Sequence, residues 1–148
     1  MAKKRVVPLW FNKVTKLVLR TPLIHRVVSH NIMLLTYTGR KTGKVYTIPV
    51  SYTKHGNAVT MFTNHNWSKN LIDKVPVTLR LQGRQLEAAL DFITTDVEQI
   101  TPVLLEHLRN KPADARIHKV TYDDTGKPKA DEVRRAAGNV RMIMLRLV

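Results

Sequence analysis

The 148-residue chain contains no cysteine. A disulfide frame, a thiolate nucleophile and a zinc site built on Cys are therefore excluded. No apolar run approaches the roughly 20 residues that span a bilayer as a helix. The basic N-terminus is not read as a signal peptide, because Asn12, Lys13 and Lys16 interrupt its apolar stretch. Acidic residues are few and late, the first being Asp73. Residues 1–72 carry 12 Lys and Arg and no acid, whereas residues 73–148 carry 13 basic and 11 acidic side chains. The formal net charge is +14. A half-chain of one sign implies an anionic partner, whether nucleic acid, membrane surface or phosphate-bearing ligand. With 43% hydrophobic and 24% charged residues, the composition is that of a globular protein and excludes disorder as the main state.

The pattern along the chain predicts one domain over 1–148, with 1–30 as a helical N-terminal extension. Residues 8–20 place Trp10, Val14, Leu17 and Val18 on one face at helical spacing, and residues 22–30 form a second short helix. From Ile32 the period changes. Segments 32–38, 45–53 and 58–63 are rich in β-branched and aromatic residues, and read as strands. His55-Gly56-Asn57 reads as a hairpin turn. Residues 64–74 are a loop entering a short helix, with Asn66 as its N-cap. Segments 75–83 and 84–94 are two further strands. Thr95 to Glu98 has the form of a capping box and opens a helix to about Asn110. Residues 111–138 read as irregular, and 140–148 as a sixth strand. Strands with short connections and one helix between them predict a mainly β (α+β) fold, a small antiparallel barrel with peripheral helices.

The loop Gly39-Arg40-Lys41-Thr42-Gly43-Lys44 is the sharpest local feature. Glycines admit close backbone approach. Arg40 offers a forked donor, Lys41 and Lys44 point charges, and Thr42 a hydroxyl, so the loop reads either as a phosphate cradle or as a solvated hairpin turn. It lacks Walker A spacing, and a strand follows it. Asn64-His65-Asn66-Trp67-Ser68-Lys69-Asn70 is a second candidate, with amide, imidazole, indole, hydroxyl and ammonium groups at a helix start. Trp67 could stack on a planar ring or bury itself under the helix. None of the six histidines forms an H-x-x-x-H pair, which argues against a metal site. Ser29, Ser51 and Ser68 have no nucleophile-elbow context, which argues against a serine hydrolase. A chain with so little reactive chemistry of its own needs a cofactor if it is an enzyme.

Two stretches carry a resemblance. Residues 32–43 followed by Ile48-Pro49-Val50 resemble an apolar strand, T-x-T-G-R-K-[ST]-G, a second strand and a proline. Trp67-Ser68-Lys69-Asn70-Leu71, then residues 76–84, resemble W-x-K/R-N-L and P-V-x-L-x-L-x-G-R. These elements, in order over roughly residues 20–95, are similar to those of the deazaflavin (F-420)-dependent nitroreductase family of split β-barrel flavin/deazaflavin oxidoreductases. The resemblance implies a split β-barrel of the FMN-binding, pyridoxamine-phosphate-oxidase-like kind. It also implies coenzyme F-420, an 8-hydroxy-5-deazaflavin with an anionic tail, which suits the acid-free first half. Carried over by position, Arg40, Lys41, Thr42 and Lys44 would hold the phosphate side. Thr63, Asn64, His65, Asn66, Trp67 and Ser68 would form the ring-side loop, supported by Lys69 and Asn70. The sequence departs from the pattern at Tyr46, where many members carry Arg, and at Ser68, where a second Trp is common.

The implied activity is hydride transfer from reduced deazaflavin to an electron-poor small molecule: an activated alkene, a quinone or a nitro compound. Tyr52 and Tyr122 are the candidate proton donors. FMN is the alternative cofactor, and an FMN- or haem-binding protein of the same fold is the alternative reading. A basic nucleic-acid-binding module is the runner-up from another class, although no RRM, KH, zinc-finger or helix-turn-helix signature is found. The protein is expected to be cytoplasmic, as a monomer or homodimer, with residues 3–20 covering the barrel or touching an anionic membrane.

Overall fold

The computed structural model describes residues 32–71 and 76–148. The helices expected at 8–20 and 22–30, and any lipid contact they make, lie outside the described residues. Among the described residues there are seven strands: β1 (Ile32–Thr38), β2 (Val45–Ser51), β3 (Thr53–His55), β4 (Ala58–Thr63), β5 (Val77–Leu81), β6 (Arg84–Thr94) and β7 (Arg141–Leu147). They form one antiparallel sheet in the order β2-β1-β5-β6-β7-β4-β3.

β2 and β3 are the two edges of this sheet, yet only Tyr52 separates them in sequence. A one-residue link between opposite edges requires the sheet to curl until the edges meet. This corrects the expectation of one strand over 45–53, and six strands become seven. At Ser51 the chain still pairs with Ile32 of β1, whereas Thr53 pairs with Thr60 of β4. Residue-type preference is the same on both sides of Tyr52, so only the change of partner reveals the break.

Period-2 alternation fills the barrel. Met33, Leu35 and Tyr37 of β1, Val59 and Met61 of β4, Val77, Leu79 and Leu81 of β5, and Ile143 and Leu145 of β7 form one buried cluster. The β5–β6 hairpin turns on Gln82 (φ 47°) and Gly83 (φ 78°), the paired positive values of a primed two-residue turn. β6 carries a register shift between Leu90 and Phe92, a bulge that bends the long strand around the barrel.

The outer face of β4 and β7 is covered by helices. α1 (Val97–Asn110) and α2 (Ala130–Ala137) bury Ile100, Leu104, Leu108, Val133 and Ala137 beneath Met142. α1 is capped by Asp96, whose carboxylate accepts the Glu98 N–H at 2.9 Å, and not by Thr95 as the capping-box pattern suggests. Asp96 is drawn into place by Thr94, whose hydroxyl accepts its N–H at 3.0 Å. α2 lies inside the stretch read as irregular. Its eight residues are too few for a visible period, but Asp131 and Glu132 in the first turn and Arg134 and Arg135 in the last complement the helix dipole. A 3-10 turn at Pro112–Ala115 follows α1. A second 3-10 turn spans Asn66–Asn70 with His65, not Asn66, at its N-cap position.

Candidate functional site

The two resemblance-bearing segments meet in space. In the β1–β2 loop, the Gly39 N–H donates to the Lys44 carbonyl at 2.7 Å, and the Gly43 N–H to the Gly39 carbonyl at 2.8 Å. Gly43 sits at φ 69°, where a side chain would be strained. A Cβ on Gly39 would come within 3.0 Å of both the Thr42 hydroxyl and the Tyr46 ring. Arg40, Lys41, Thr42 and Lys44 are exposed on this turn. The Arg40 N–H donates to the Asn70 side-chain carbonyl at 3.1 Å, and the Asn70 amide donates to the Trp67 carbonyl at 2.9 Å. Asn70 is buried and couples the basic loop to the 3-10 turn, although 30 residues separate it from Arg40.

Tyr46 shows what replaces the usual arginine. Its ring stacks on Tyr37 at 5.5 Å, and Tyr37 stacks on Trp67 at 5.9 Å. The three rings form a continuous apolar column under the loop, with Trp67 half-buried against the barrel core. Ser68 likewise has a defined role. Its hydroxyl donates to the His65 carbonyl at 3.3 Å, and Arg141 of β7 reaches both the Ser68 oxygen (3.2 Å) and the His65 carbonyl (3.3 Å). The His65 N–H is held by the Thr63 hydroxyl at 3.1 Å. Thr63 through Asn70 is thus fixed from both ends. Asn64, His65, Asn66 and Lys69 are exposed, and Thr63 and Ser68 are buried.

A cleft of about 600 Å3 opens beside this loop, bounded by the end of β2, the end of β4, α1, α2 and the segment after α1. Pro49, Val50, Phe62 and Trp67 supply apolar walls. Thr63, Asn64 and His65 supply polar groups, and Lys119 and Arg135 positive charge. Asp114 is the one carboxylate among the described lining residues.

At the floor of the cleft lies a polar chain that sequence reading missed. The Ser51 hydroxyl donates to Asp114 Oδ2. The same oxygen lies 2.7 Å from His107 Nε2. His107 Nδ1 is bonded to the Thr53 hydroxyl. His107 is 3% exposed, and the Asp114 side chain 14%. Phe62 makes T-shaped contacts with the His107 ring at 5.3 Å and the His118 ring at 6.4 Å between centres. Burial works against the Asp114 carboxylate, but the hydrogen bonds from His107 and Ser51, with the nearby imidazoles, hold its pKa below the ordinary value. His118 is pushed below the usual histidine value, chiefly by desolvation and then by His107, with Asp114 opposing. Histidine spacing carried no trace of this chain, because its members come from β2, β3, α1 and the turn after it. The one available signal was His107 lying between Leu104 and Leu108 on the apolar face of α1.

The two candidate tyrosines lie elsewhere. Tyr52 is 4% exposed and borders a second cavity, of about 430 Å3, with the Lys111 ammonium 5.1 Å from its ring centre. The Tyr122 phenol donates to the Leu108 carbonyl at 2.7 Å. Neither lines the cleft. Burial raises the pKa of both phenols.

The donor set suits an anionic planar ligand: aromatic and aliphatic walls for a ring system, and a cationic loop tied by Asn70 to the turn that forms one wall. The fold is similar to that of a solved F420 reductase, with 10% identity, a TM-score of 0.50 and coverage of 90% of this chain and 92% of that one. A solved domain-swapped dimer gives 16% identity, a TM-score of 0.52, and coverage of 93% and 97%. A pyridoxamine 5'-phosphate oxidase-related, FMN-binding protein from Nostoc punctiforme gives 12% identity, a TM-score of 0.53, and coverage of 98% and 83%. These likenesses establish the FMN-binding split-barrel fold. No curated protein matches the sequence. The sequence profile of the F420H(2)-dependent quinone reductases matches residues 14–120. The chain belongs to the F420H(2)-dependent quinone reductase family and is an oxidoreductase that uses the deazaflavin coenzyme F-420.

Proposed function

We propose that the protein reduces a quinone, with hydride from reduced coenzyme F-420, in the cleft bounded by the Thr63–Trp67 segment. The observation that carries this reading is the coupling of the two family motifs through Asn70, which sets a basic loop against one wall of an apolar-walled cleft of about 600 Å3. The coenzyme supplies the hydride equivalent when bound. The chain's own residues bind, orient and exclude water. Arg40, Lys41 and Lys44 pair with the coenzyme's anions, and Thr42 donates a hydroxyl. Pro49, Val50, Phe62 and Trp67 offer the low-polarity surface that a flat quinone prefers. Nitro compounds and activated alkenes are electron-poor in the same sense and form the comparison set.

The test has two parts. Apo-protein is titrated with coenzyme F-420, FMN and haem in parallel. The loaded enzyme is then assayed with a naphthoquinone, a nitroimidazole and a cyclohexenone. Tightest binding of the deazaflavin and highest kcat/KM for the quinone are expected. Preference for FMN overturns the cofactor assignment, and preference for the nitro compound overturns the substrate.

The chain is proposed to act in the cytoplasm, with residues 3–20 covering the barrel or meeting anionic lipid. Among the described residues no helix is long and apolar enough to cross a membrane. Salt-sensitive sedimentation with anionic vesicles that deletion of residues 1–20 leaves unchanged would refute the lipid contact.

A further inference from the structure

Reducing a quinone to a hydroquinone takes one hydride and one proton to a substrate oxygen. The proton needs a donor in the cleft wall. The Ser51 hydroxyl already donates its proton to the Asp114 carboxylate, so it is not free to give one to a bound substrate. His107 has both ring nitrogens engaged, one by Thr53 and one by Asp114, and is buried. His118 differs. It lines the cleft, it is half-buried, and among the described residues no side chain hydrogen-bonds its ring. Its position is nevertheless fixed. Phe62 makes a T-shaped contact with it, and the backbone N–H groups of His118 and Ile117 point to the Asp114 backbone carbonyl at 3.4 and 3.1 Å. The Asp114 side chain in turn is pinned to β2 by Ser51 and to α1 by His107.

We propose that His118 donates the proton that completes quinone reduction, and that Asp114, anchored by Ser51 and His107, is the residue that positions it. The proposal rests on the quinone reductase reading above. In the step, the deazaflavin is oxidised by loss of hydride and the quinone is reduced. The imidazolium N–H bond breaks and an O–H bond forms on the substrate oxygen, and solvent reprotonates the neutral ring. The groups facing His118 set its balance. Burial, and then His107 from α1, disfavour the imidazolium, and Asp114 favours it; Lys119 beside it and Arg135 from α2 line the same cleft. His65 borders the same cleft. The net effect is a stronger acid present in a smaller fraction, which suits a donor that must release its proton to a weakly basic oxygen. Lys119 and Arg135 also favour the negative charge that builds on that oxygen. Arg135 is itself oriented by a 2.6 Å bond to the Lys119 carbonyl.

The experiment pairs a cofactor-free measurement with kinetics. In apo-protein, the ring C–H resonances of the histidines are followed from acid to neutral pH, with and without 2-methyl-1,4-naphthoquinone. The His118 signal should titrate below the ordinary value near 6.5 and shift when the quinone is added. In enzyme loaded with reduced coenzyme F-420, His118→Gln should lower kcat about a hundredfold with little change in KM or coenzyme affinity. The wild-type rate should fall as pH rises through the His118 pKa, and the variant should lose that limb. Asp114→Asn removes the charge that favours the imidazolium, so the limb should move to lower pH. A wild-type rate and pH profile in His118→Gln would overturn the proposal, as would a change in KM alone or a loss in His65→Gln without one in His118→Gln. If wild-type enzyme binds the coenzyme but does not reduce the quinone, the quinone reading fails instead. The resonance titration still reports whether His118 faces a bound quinone.

Discussion

Replacing Asn70 by alanine tests the coupling on which the site depends. Asn70 accepts the Arg40 N–H and donates to the Trp67 carbonyl, and it is 6% exposed. Two intramolecular hydrogen bonds of this kind contribute about 1 kcal/mol each, net of water. Arg40 is exposed, so its freed N–H can be rehydrated. Trp67 is half-buried, and its carbonyl loses a partner in a partly dry setting. The sum is about 2–3 kcal/mol. For a domain of this length each kcal/mol moves the melting temperature by roughly 2–4 °C, so Asn70→Ala should melt roughly 4–12 °C below wild type. Asn70→Asp keeps the acceptor for Arg40 but loses the donor for Trp67, and should fall between the two. Circular dichroism on heating gives the stability, and titration with coenzyme F-420 gives the consequence for binding. Affinity should drop in the alanine variant well below the temperature at which it unfolds, because the basic loop is no longer anchored. An Asn70→Ala protein that melts within about 1 °C of wild type would show that the bridge carries no energy. One that melts low but binds normally would separate the bridge from the site.

Arg40→Ala should raise the coenzyme dissociation constant about tenfold or more, the value of one charge-assisted contact of about 1.5–3 kcal/mol. Because Arg40 is exposed, the melting temperature should barely change, and unchanged affinity would remove the loop from the site. Deazaflavin affinity should exceed FMN affinity at low salt, with the gap narrowing as ionic strength shortens the Debye length to about 8 Å and below. Parallel titrations at two salt concentrations check this. Acid should destabilise the protein in two stages. The folded pKa of His118 lies below its unfolded value, so stability is full above about pH 6.5 and falls as pH drops toward the folded value. Asp114 acts in the same sense lower down. Its stabilisation is full above about pH 4 and is lost as pH falls through its depressed folded value. Urea midpoints across pH should flatten in the upper window for His118→Gln and in the lower for Asp114→Asn. A slope retained in both variants would contradict these assignments.

Most of the barrel was legible from local pattern. The strands expected at 32–38 and 58–63 coincide with β1 and β4, and those at 84–94 and 140–148 match β6 and β7 to within a residue. Alternating apolar side chains on a half-buried surface leave a strong local signal. The glycine-bracketed loop was legible for the same reason, since Gly43 must adopt a positive φ. Chain-local information ends where partners change. The Tyr52 crossing from one sheet edge to the other has no signature in residue type, and α2 is too short to show a period. The Asp96 cap displaced the expected Thr95 by one residue, a matter of which oxygen reaches the Glu98 N–H.

The site divides along the same line. The basic loop and the Thr63–Asn70 segment were legible as motifs, because each is contiguous and chemically distinctive. Their joining through Asn70 across 30 residues was not. Nor was the use of Tyr46 as one end of an aromatic column in place of a cation. The Ser51–Asp114 and Thr53–His107 contacts span 63 and 54 residues. Each member taken singly reads as an ordinary strand or helix residue. Only closure of the barrel, which brings the β2–β3 crossing against α1 and the turn after it, gives these side chains a common low-polarity environment. In that environment their hydrogen bonds and charges act strongly on one another.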